Sequence, residues 1–246
     1  MKIRSQVMNH LVSIIAKYNQ EVDLSRGLIY TRCGDAVSDE ELAGMAFELI
    51  ATGQETLASA LSSIILYVGS NRDVLNGLRE ETKYLQIDDQ TRKLSIDDLI
   101  SSTYVHDVVR ETLRLCPPSG GGFRKTTKTI EIGGYQIPKG WNVMFGIRET
   151  HLTSPIFTNP NHFDPSRWNS KTMAGNDQHY HYLPFGEGSH VCAGKETVKI
   201  ILETFLIELV NGCDWVLLNE NTQIKYTPSA FAIDRLPIIV EKCISA

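Results

Sequence analysis

Apolar residues recur every three to four positions over long stretches of this chain, with short alternating runs between them. Residues 3–18 place Ile3, Val7, Leu11, Ile14, Ile15 and Tyr18 on one stripe, the spacing of an amphipathic helix. A polar stretch broken by Gly27 and Gly34 follows. Ser38 with Glu41 three residues on forms a capping box. Behind it Leu42, Met45, Ala46, Leu49, Ile50, Leu57, Ala60, Leu61, Ile64 and Ile65 predict a helix lasting to about Gly69. A helix of about 30 residues runs about 45 Å. Residues 71–86 suit a shorter helix, Asp88, Asp89, Arg92 and Lys93 a solvated turn, and Ser95 a second cap. Tyr104, Val105, Val108, Val109, Thr112, Leu113 and Leu115 then describe a helix that Pro117 and Pro118 stop.

The period changes after the prolines. Ile130, Ile132, Tyr135 and Ile137 flank Gly133-Gly134, a hairpin signature, and a turn at Pro138-Lys139-Gly140 leads to a strand over 141–145. Residues 150–168, rich in Asn, Pro and His, read as a meandering loop. A helix over 193–210 gives way to a strand at 214–218 and a closing hairpin. The expected fold is mainly α with small β-sheets, an α+β domain spanning 1–246 without repeat, low-complexity tract or interdomain linker.

Composition narrows the function. A chain of 246 residues, 42% hydrophobic, can bury a substantial core. Its net charge of −5 comes from interspersed acids and bases, which gives no footprint for nucleic acid. The five cysteines are odd in number and widely spaced, a set for a reducing compartment and not a disulfide framework. No apolar run approaches the roughly 20 residues that span a bilayer, and residues 1–6 lack the apolar core of a signal peptide. No transmembrane segment is expected in this chain.

Candidate chemistry gathers at Phe185-Gly186-Glu187-Gly188-Ser189-His190-Val191-Cys192-Ala193-Gly194. Gly186 and Gly188 allow a sharp turn and close approach to a flat ligand. Cys192 would stand at the start of a helix, where unpaired N–H groups and the helix dipole favour thiolate. The bland alternative is a buried free cysteine ahead of a helix. Further back, Gly53 sits inside a helix, where glycine costs about 1 kcal/mol against alanine. It is followed by Glu55 and Thr56, which on another chain would be no more than a solvated face. Glu111 and Arg114 share a helix face at i,i+3, the spacing also of an ordinary surface ion pair worth well under about 1 kcal/mol.

The cysteine segment resembles the F-x-x-G-x-[R/H]-x-C-x-G loop of the cytochrome P-450 haem-thiolate monooxygenases. Gly53, Glu55 and Thr56 resemble that family's distal oxygen-binding helix, with Thr52 and Leu57 departing from its pattern. Glu111-Thr112-Leu113-Arg114 matches its E-x-x-R. The family is about twice as long, and the likeness covers its C-terminal half. Gly122-Phe123-Arg124, the run 134–143, Ile156-Phe157-Thr158-Asn159 and Cys213-Asp214-Trp215 look closest to the retinoic-acid-hydroxylating branch of animals or a cyanobacterial relative. His190 and Gln54 stand where that branch usually has arginine and histidine.

The resemblance implies a haem b cofactor with Cys192 as axial iron ligand, and a cofactor cradle of Arg124, His190, Phe185, Gly186 and Gly53. Arg124 and His190 would meet the propionates. Thr56 and Glu55 would be catalytic, handling dioxygen and protons. Glu111, Arg114 and Arg167 would form a structural charge network. Phe47, Ala51, Thr52, Gly122, Phe123 and Phe231 would line the substrate pocket. The implied reaction hydroxylates a lipophilic small molecule, such as retinoic acid, with dioxygen and electrons from an NADPH-dependent reductase or a ferredoxin. The implied location is the endoplasmic reticulum membrane for an animal parent, with this chain itself soluble, or the cytoplasm for a bacterial one. Two rival readings stay open: a non-catalytic fragment that needs the missing N-terminal half, and a zinc-binding structural module built on His179, His181, His190 and Cys192.

Overall fold

The computed structural model describes residues 2–21, 38–85, 93–169 and 180–242. The loop with Gly27 and Gly34, the turn at Asp88, Asp89 and Arg92, and His179 lie outside the described residues. The chain divides into two compact units, Met1–Glu55 and Thr56–Ala246.

In the first unit, α1 (Lys2–Glu21) turns Met8, Leu11, Val12, Ile15 and Ala16 to a half-buried stripe. Val7 and Ile14, placed on that stripe by the spacing alone, are exposed. Helix α2 (Asp39–Gly69) begins at the predicted capping box. Ser38 N–H donates to Glu41 Oε2 at 3.0 Å, and Glu41 N–H returns a bond to Ser38 Oγ at 3.3 Å. The Ser38 N–H and hydroxyl, both donating to Glu41 Oε2, hold that carboxyl below its usual range.

By length and composition α2 does reach the level of a membrane span, with an 18-residue window of mean hydropathy 1.3. No single run of the sequence is unbroken, but a window tolerates the few polar residues. A core helix passes the same test, and Ala60, Ile64 and Val68 of its C-terminal half are buried in the core of the second unit.

That core is helical. The second half of α2, α3 (Arg72–Thr82), α5 (Thr103–Leu115) and α7 (Lys195–Gly212) bring together Ile64, Leu75, Leu78, Val105, Val108, Leu202, Leu206 and Ile207, all fully buried. The short α4 (Ile96–Ser101) starts at Ser95, whose hydroxyl accepts the Asp98 N–H while Asp98 caps Ser95 in return. Arg79 ties α3 to the far end of α7, donating to the carbonyls of Val210 at 3.0 Å and Cys213 at 3.1 Å. Val210 lies in the last turn of α7, where carbonyls lack partners within the helix, so a long cation suits the position.

Small two-stranded antiparallel sheets complete the second unit. β1 (Gly121–Lys125) pairs β4 (Asn142–Gly146), with Phe123 opposite Met144. The hairpin β2 (Ile130–Ile132) and β3 (Tyr135–Ile137) is inserted between them, and turns at Gly133 and Gly134 with φ of 58° and 81°. β5 (Cys213–Leu217) pairs β8 (Ile238–Lys242), and β6 (Ile224–Tyr226) pairs β7 (Ala230–Ala232) between them. The stretch read as a meandering loop holds helix α6 (Ile147–Thr153) and a 3-10 turn, Pro165–Asn169. Helix α7 begins at Lys195, two residues later than its periodicity suggests, with Gly194 as N-cap.

Candidate active site

Helix α5 carries Glu111 and Arg114 one turn apart, so both side chains leave the same face. That face is the buried one: neither side chain is exposed at all. Arg114 grips the carboxylate with two N–H groups, Nε to Oε2 at 2.8 Å and Nη2 to Oε1 at 2.9 Å. Arg167, on the 3-10 turn, adds Nε to Oε1 at 2.9 Å. The backbone N–H of Asp164 and the indole N–H of Trp168 complete the set at 3.0 and 3.2 Å. The spare guanidinium N–H groups end on the carbonyls of Thr158, Pro160 and His162. Two buried cations thus share one carboxylate, and backbone carbonyls accept from further N–H groups of both.

The next link runs from α5 to the cysteine loop through His151 of α6. Its Nδ1–H donates to the Arg114 carbonyl at 2.9 Å, and its Nε2 accepts the Leu183 N–H at 2.7 Å. Burial pushes its pKa down to about 4, so the ring is neutral near pH 7. From Leu183 the chain folds back on itself. Leu183 accepts the Gly186 N–H at 2.9 Å, and Phe185 accepts the Cys192 N–H at 2.9 Å. Gly186 and Gly188 take φ of 71° and 75°, a region costly for any residue with a Cβ. Phe185 is half-buried and packs against the helical core. The loop therefore hangs from the core at Phe185 and presents Cys192 outward, exposed, in contrast to the buried Cys116. Cys192 precedes the helix proper, and its carbonyl accepts the Lys195 N–H at 3.3 Å.

The remaining site residues fall elsewhere. Arg124 is exposed on β1, donates to the Phe123 carbonyl at 2.8 Å, and holds its guanidinium 5.1 Å from the Phe145 ring. Gly122 lies against that ring, and a Cβ there would come within 2.6 Å of it. Phe123 and His190 are exposed. Thr56 is half-buried. One turn later Ser59 donates to the Ala230 carbonyl at 2.5 Å, which brings α2 against β7 beside the half-buried Phe231. In the first unit Ala51, Thr52 and Gly53 are exposed and Phe47 and Glu55 half-buried; a Cβ on Gly53 would meet nothing within 4 Å.

Several residues of this arrangement carry no sequence motif: Trp168, Asp164, Ser59 and above all His151. Of the zinc alternative, His179 lies outside the described residues, and only His181, His190 and Cys192 can be placed. Among the described residues no group of three or more His, Cys, Asp and Glu stands together, and His181 Nδ1 is hydrogen-bonded to Ser154 Oγ at 2.9 Å.

The cytochrome P450 family model matches residues 3–241. The chain belongs to the cytochrome P450 family. Cytochrome P450 26A1 of Gallus gallus is 40% identical to it over 207 residues, 83% of this chain and 42% of that one. The putative cytochrome P450 120 of Synechocystis is 35% identical over 199 residues, 80% of this chain and 44% of that one. Among solved structures, retinoic-acid-bound cyanobacterial CYP120A1 superposes with a TM-score of 0.87 at 31% identity, over 98% of this chain and 56% of that one. The chain thus spans less than half the length of these curated P450 relatives. The P450 fold, mainly helical with small antiparallel sheets, is the fold described above.

The family's haem can be tested against the P450 residues present. A haem iron takes a soft axial donor, and the Cys192 thiol is both soft and exposed. Gly188 and Gly194 leave the loop low around it: a Cβ on Gly188 would meet nothing within 4 Å, and one on Gly194 would lie 3.9 Å from Sγ. These residues fit the group.

Proposed function

We propose that this chain is the thiolate-bearing part of a cytochrome P450 monooxygenase domain that holds haem b on Cys192. The observation that carries the reading is the exposed Cys192 thiol on a backbone pinned at Phe185. Haem, when bound, supplies the oxygen-activating iron of the family. Cys192 gives a negative sulfur donor, and the backbone bond to its amide keeps that donor in place. Arg124 and His190, both exposed, are the partners for the acidic edge of the cofactor. Phe185 and Gly186 set the approach of the loop and Gly53 that of the helix. Thr56 supplies a hydroxyl and Glu55 a carboxylate to hold and move protons on the distal side. Glu111, Arg114 and Arg167 hold the core beneath the loop.

The substrate class we assign is lipophilic, with Phe47, Ala51, Thr52, Gly122, Phe123 and Phe231 as its contacts. Retinoic acid is the first candidate, because the solved structure with the 0.87 TM-score is described as bound to it. Dioxygen and a reductase or ferredoxin complete the set of partners, on a membrane for an animal parent and in the cytoplasm for a bacterial one.

The deciding experiment is the reduced, carbon-monoxide-bound absorption spectrum after haem supply. A strongly red-shifted Soret band in the parent, absent from Cys192→Ser, is the expected result; the same spectrum in both would end the assignment. All-trans retinoic acid should then perturb the haem spectrum, and failure to do so removes it as substrate.

A second reading is favoured by Phe123, Trp141 and Met144, which stand exposed on and beside β1 and β4. In it, residues 1–246 are one incomplete domain whose apolar surface needs further polypeptide, and the chain alone retains haem weakly. Haem lost on gel filtration, and kept when the remaining part of a full-length relative is added, is its signature.

A further inference from the structure

His151 is a fully buried histidine that uses both ring nitrogens and belongs to none of the motifs. Its Nδ1–H reaches the Arg114 carbonyl in the last turn of α5, where carbonyls have no partner within the helix. Its Nε2 takes the N–H of Leu183, where the chain enters the cysteine segment. The carbonyl of Leu183 is in turn committed to Gly186, and Phe185 to Cys192. The ring cannot swing away: it stacks on Tyr182 at 5.4 Å and 25°, with Phe157 edge-on at 6.5 Å and 79°.

We infer that His151 is a positioning residue for the cysteine loop: a strut that fixes Leu183 against the end of α5 and so sets where the loop carrying Cys192 begins. A segment with two glycines at positive φ has much conformational freedom to lose on ordering, and pinning its entrance removes part of that freedom. Only the neutral ring protonated at Nδ1 serves, because a charged ring would set an N–H against the Leu183 N–H. Burial keeps the ring in that form. The use made of the loop rests on the haem-thiolate reading; the strut does not.

Two substitutions separate the two bonds. His151→Gln places a carbonyl oxygen near the position of Nε2 and keeps an acceptor for Leu183. His151→Asn keeps a donor for Arg114 and leaves Leu183 without its acceptor. Each loses one hydrogen bond, so a role in general stability affects them alike.

The measurement is amide hydrogen exchange on the purified chain without haem, comparing Leu183, Gly186 and Cys192 with amides 109–113 of α5. His151→Asn should speed exchange in the loop by about tenfold or more relative to α5, and His151→Gln by less than about threefold. With haem supplied, the red-shifted carbon-monoxide band should persist in His151→Gln and weaken in His151→Asn. An equal rise in both variants, no rise in either, or a rise shared with α5 overturns the proposal. The exchange pattern as expected but no such band even in the parent would uphold the strut and remove the haem-thiolate reading.

Discussion

Gly69 closes α2 against the indole of Trp215. The indole N–H donates to the Ile65 carbonyl at 3.0 Å, and the ring is almost wholly buried. A Cβ on Gly69 would overlap the indole nitrogen and lie 3.1 Å from Cδ1 and 3.3 Å from Leu217 Cγ. Gly69→Ala is therefore expected to cost about 1–3 kcal/mol through overpacking, read by urea unfolding. Gly212→Ala, also at a helix end but with nothing within 4 Å, should be neutral or slightly stabilising. Equal effects of the two changes would show that the indole moves aside freely.

Glu111 and Glu196 make the same i,i+3 ion pair in opposite surroundings. Glu111 is fully buried with Arg114, whereas Glu196 meets Lys199 at 2.9 Å on the surface. Glu111→Gln strands two buried guanidiniums and should cost about 3–5 kcal/mol. Glu196→Gln should change stability by less than about 0.5 kcal/mol. Thermal melts of the two variants side by side decide it. Glu111→Ala should further abolish stable haem incorporation, and normal haem content in that variant would refute the structural role.

Cys192 and Cys116 should differ sharply in reactivity. Cys116 is buried beneath Tyr226, and burial pushes its thiol up. Cys192 is exposed on its loop. Brief iodoacetamide treatment of the native chain, followed by peptide mapping, should label Cys192 at least about tenfold faster than Cys116. Comparable rates before denaturation would contradict the burial of Cys116.

His151 gives the fold a dependence on acid. Its folded pKa of about 4 lies below the ordinary value of 6.5, so between these values the unfolded chain binds more protons. The stability it contributes is complete above about pH 6.5 and is lost as pH falls towards about 4, a change on the order of 2–3 kcal/mol. The Arg114 guanidinium on α5 also disfavours the charged ring. The Tyr182 phenol on the loop side stays neutral, since burial raises its pKa far above the usual range. Arg148 and Glu149, on its own helix, are solvated. Urea midpoints from pH 7.5 to 4.5 should fall more steeply for the parent than for His151→Gln; parallel curves would rule the ring out as the source.

Local signals in the sequence read well. The Ser38 box, the Gly133-Gly134 hairpin and the stop at Pro117-Pro118 each rest on neighbours in the chain, and each stands where the sequence places it. What depends on distant partners was not legible. The i,i+3 spacing of Glu111 and Arg114 says nothing about burial, since Glu196 and Lys199 share it on the surface; the resemblance to a family supplied the third member, Arg167. His151 sits among Arg148, Glu149 and Thr150, so nothing nearby marks it as buried, and its helix disappears into a stretch rich in loop-forming residues. Helix α7 starts late because Cys192 and Gly194 spend the preceding positions on a turn that periodicity cannot see.

The carboxylate of Glu111 collects donors that lie 53, 56 and 57 residues further along the chain. Arg114, one turn away, is available as soon as α5 forms, so the emerging helix carries its own counter-ion. The distant donors arrive only when residues 158–168 have been brought back, against the entropy of closing a long loop. Without them the buried carboxylate would be only half satisfied, which is costly. The hub therefore couples two distant segments in the folded state: α5 can bury this face at low cost only together with the segment leading towards the cysteine loop.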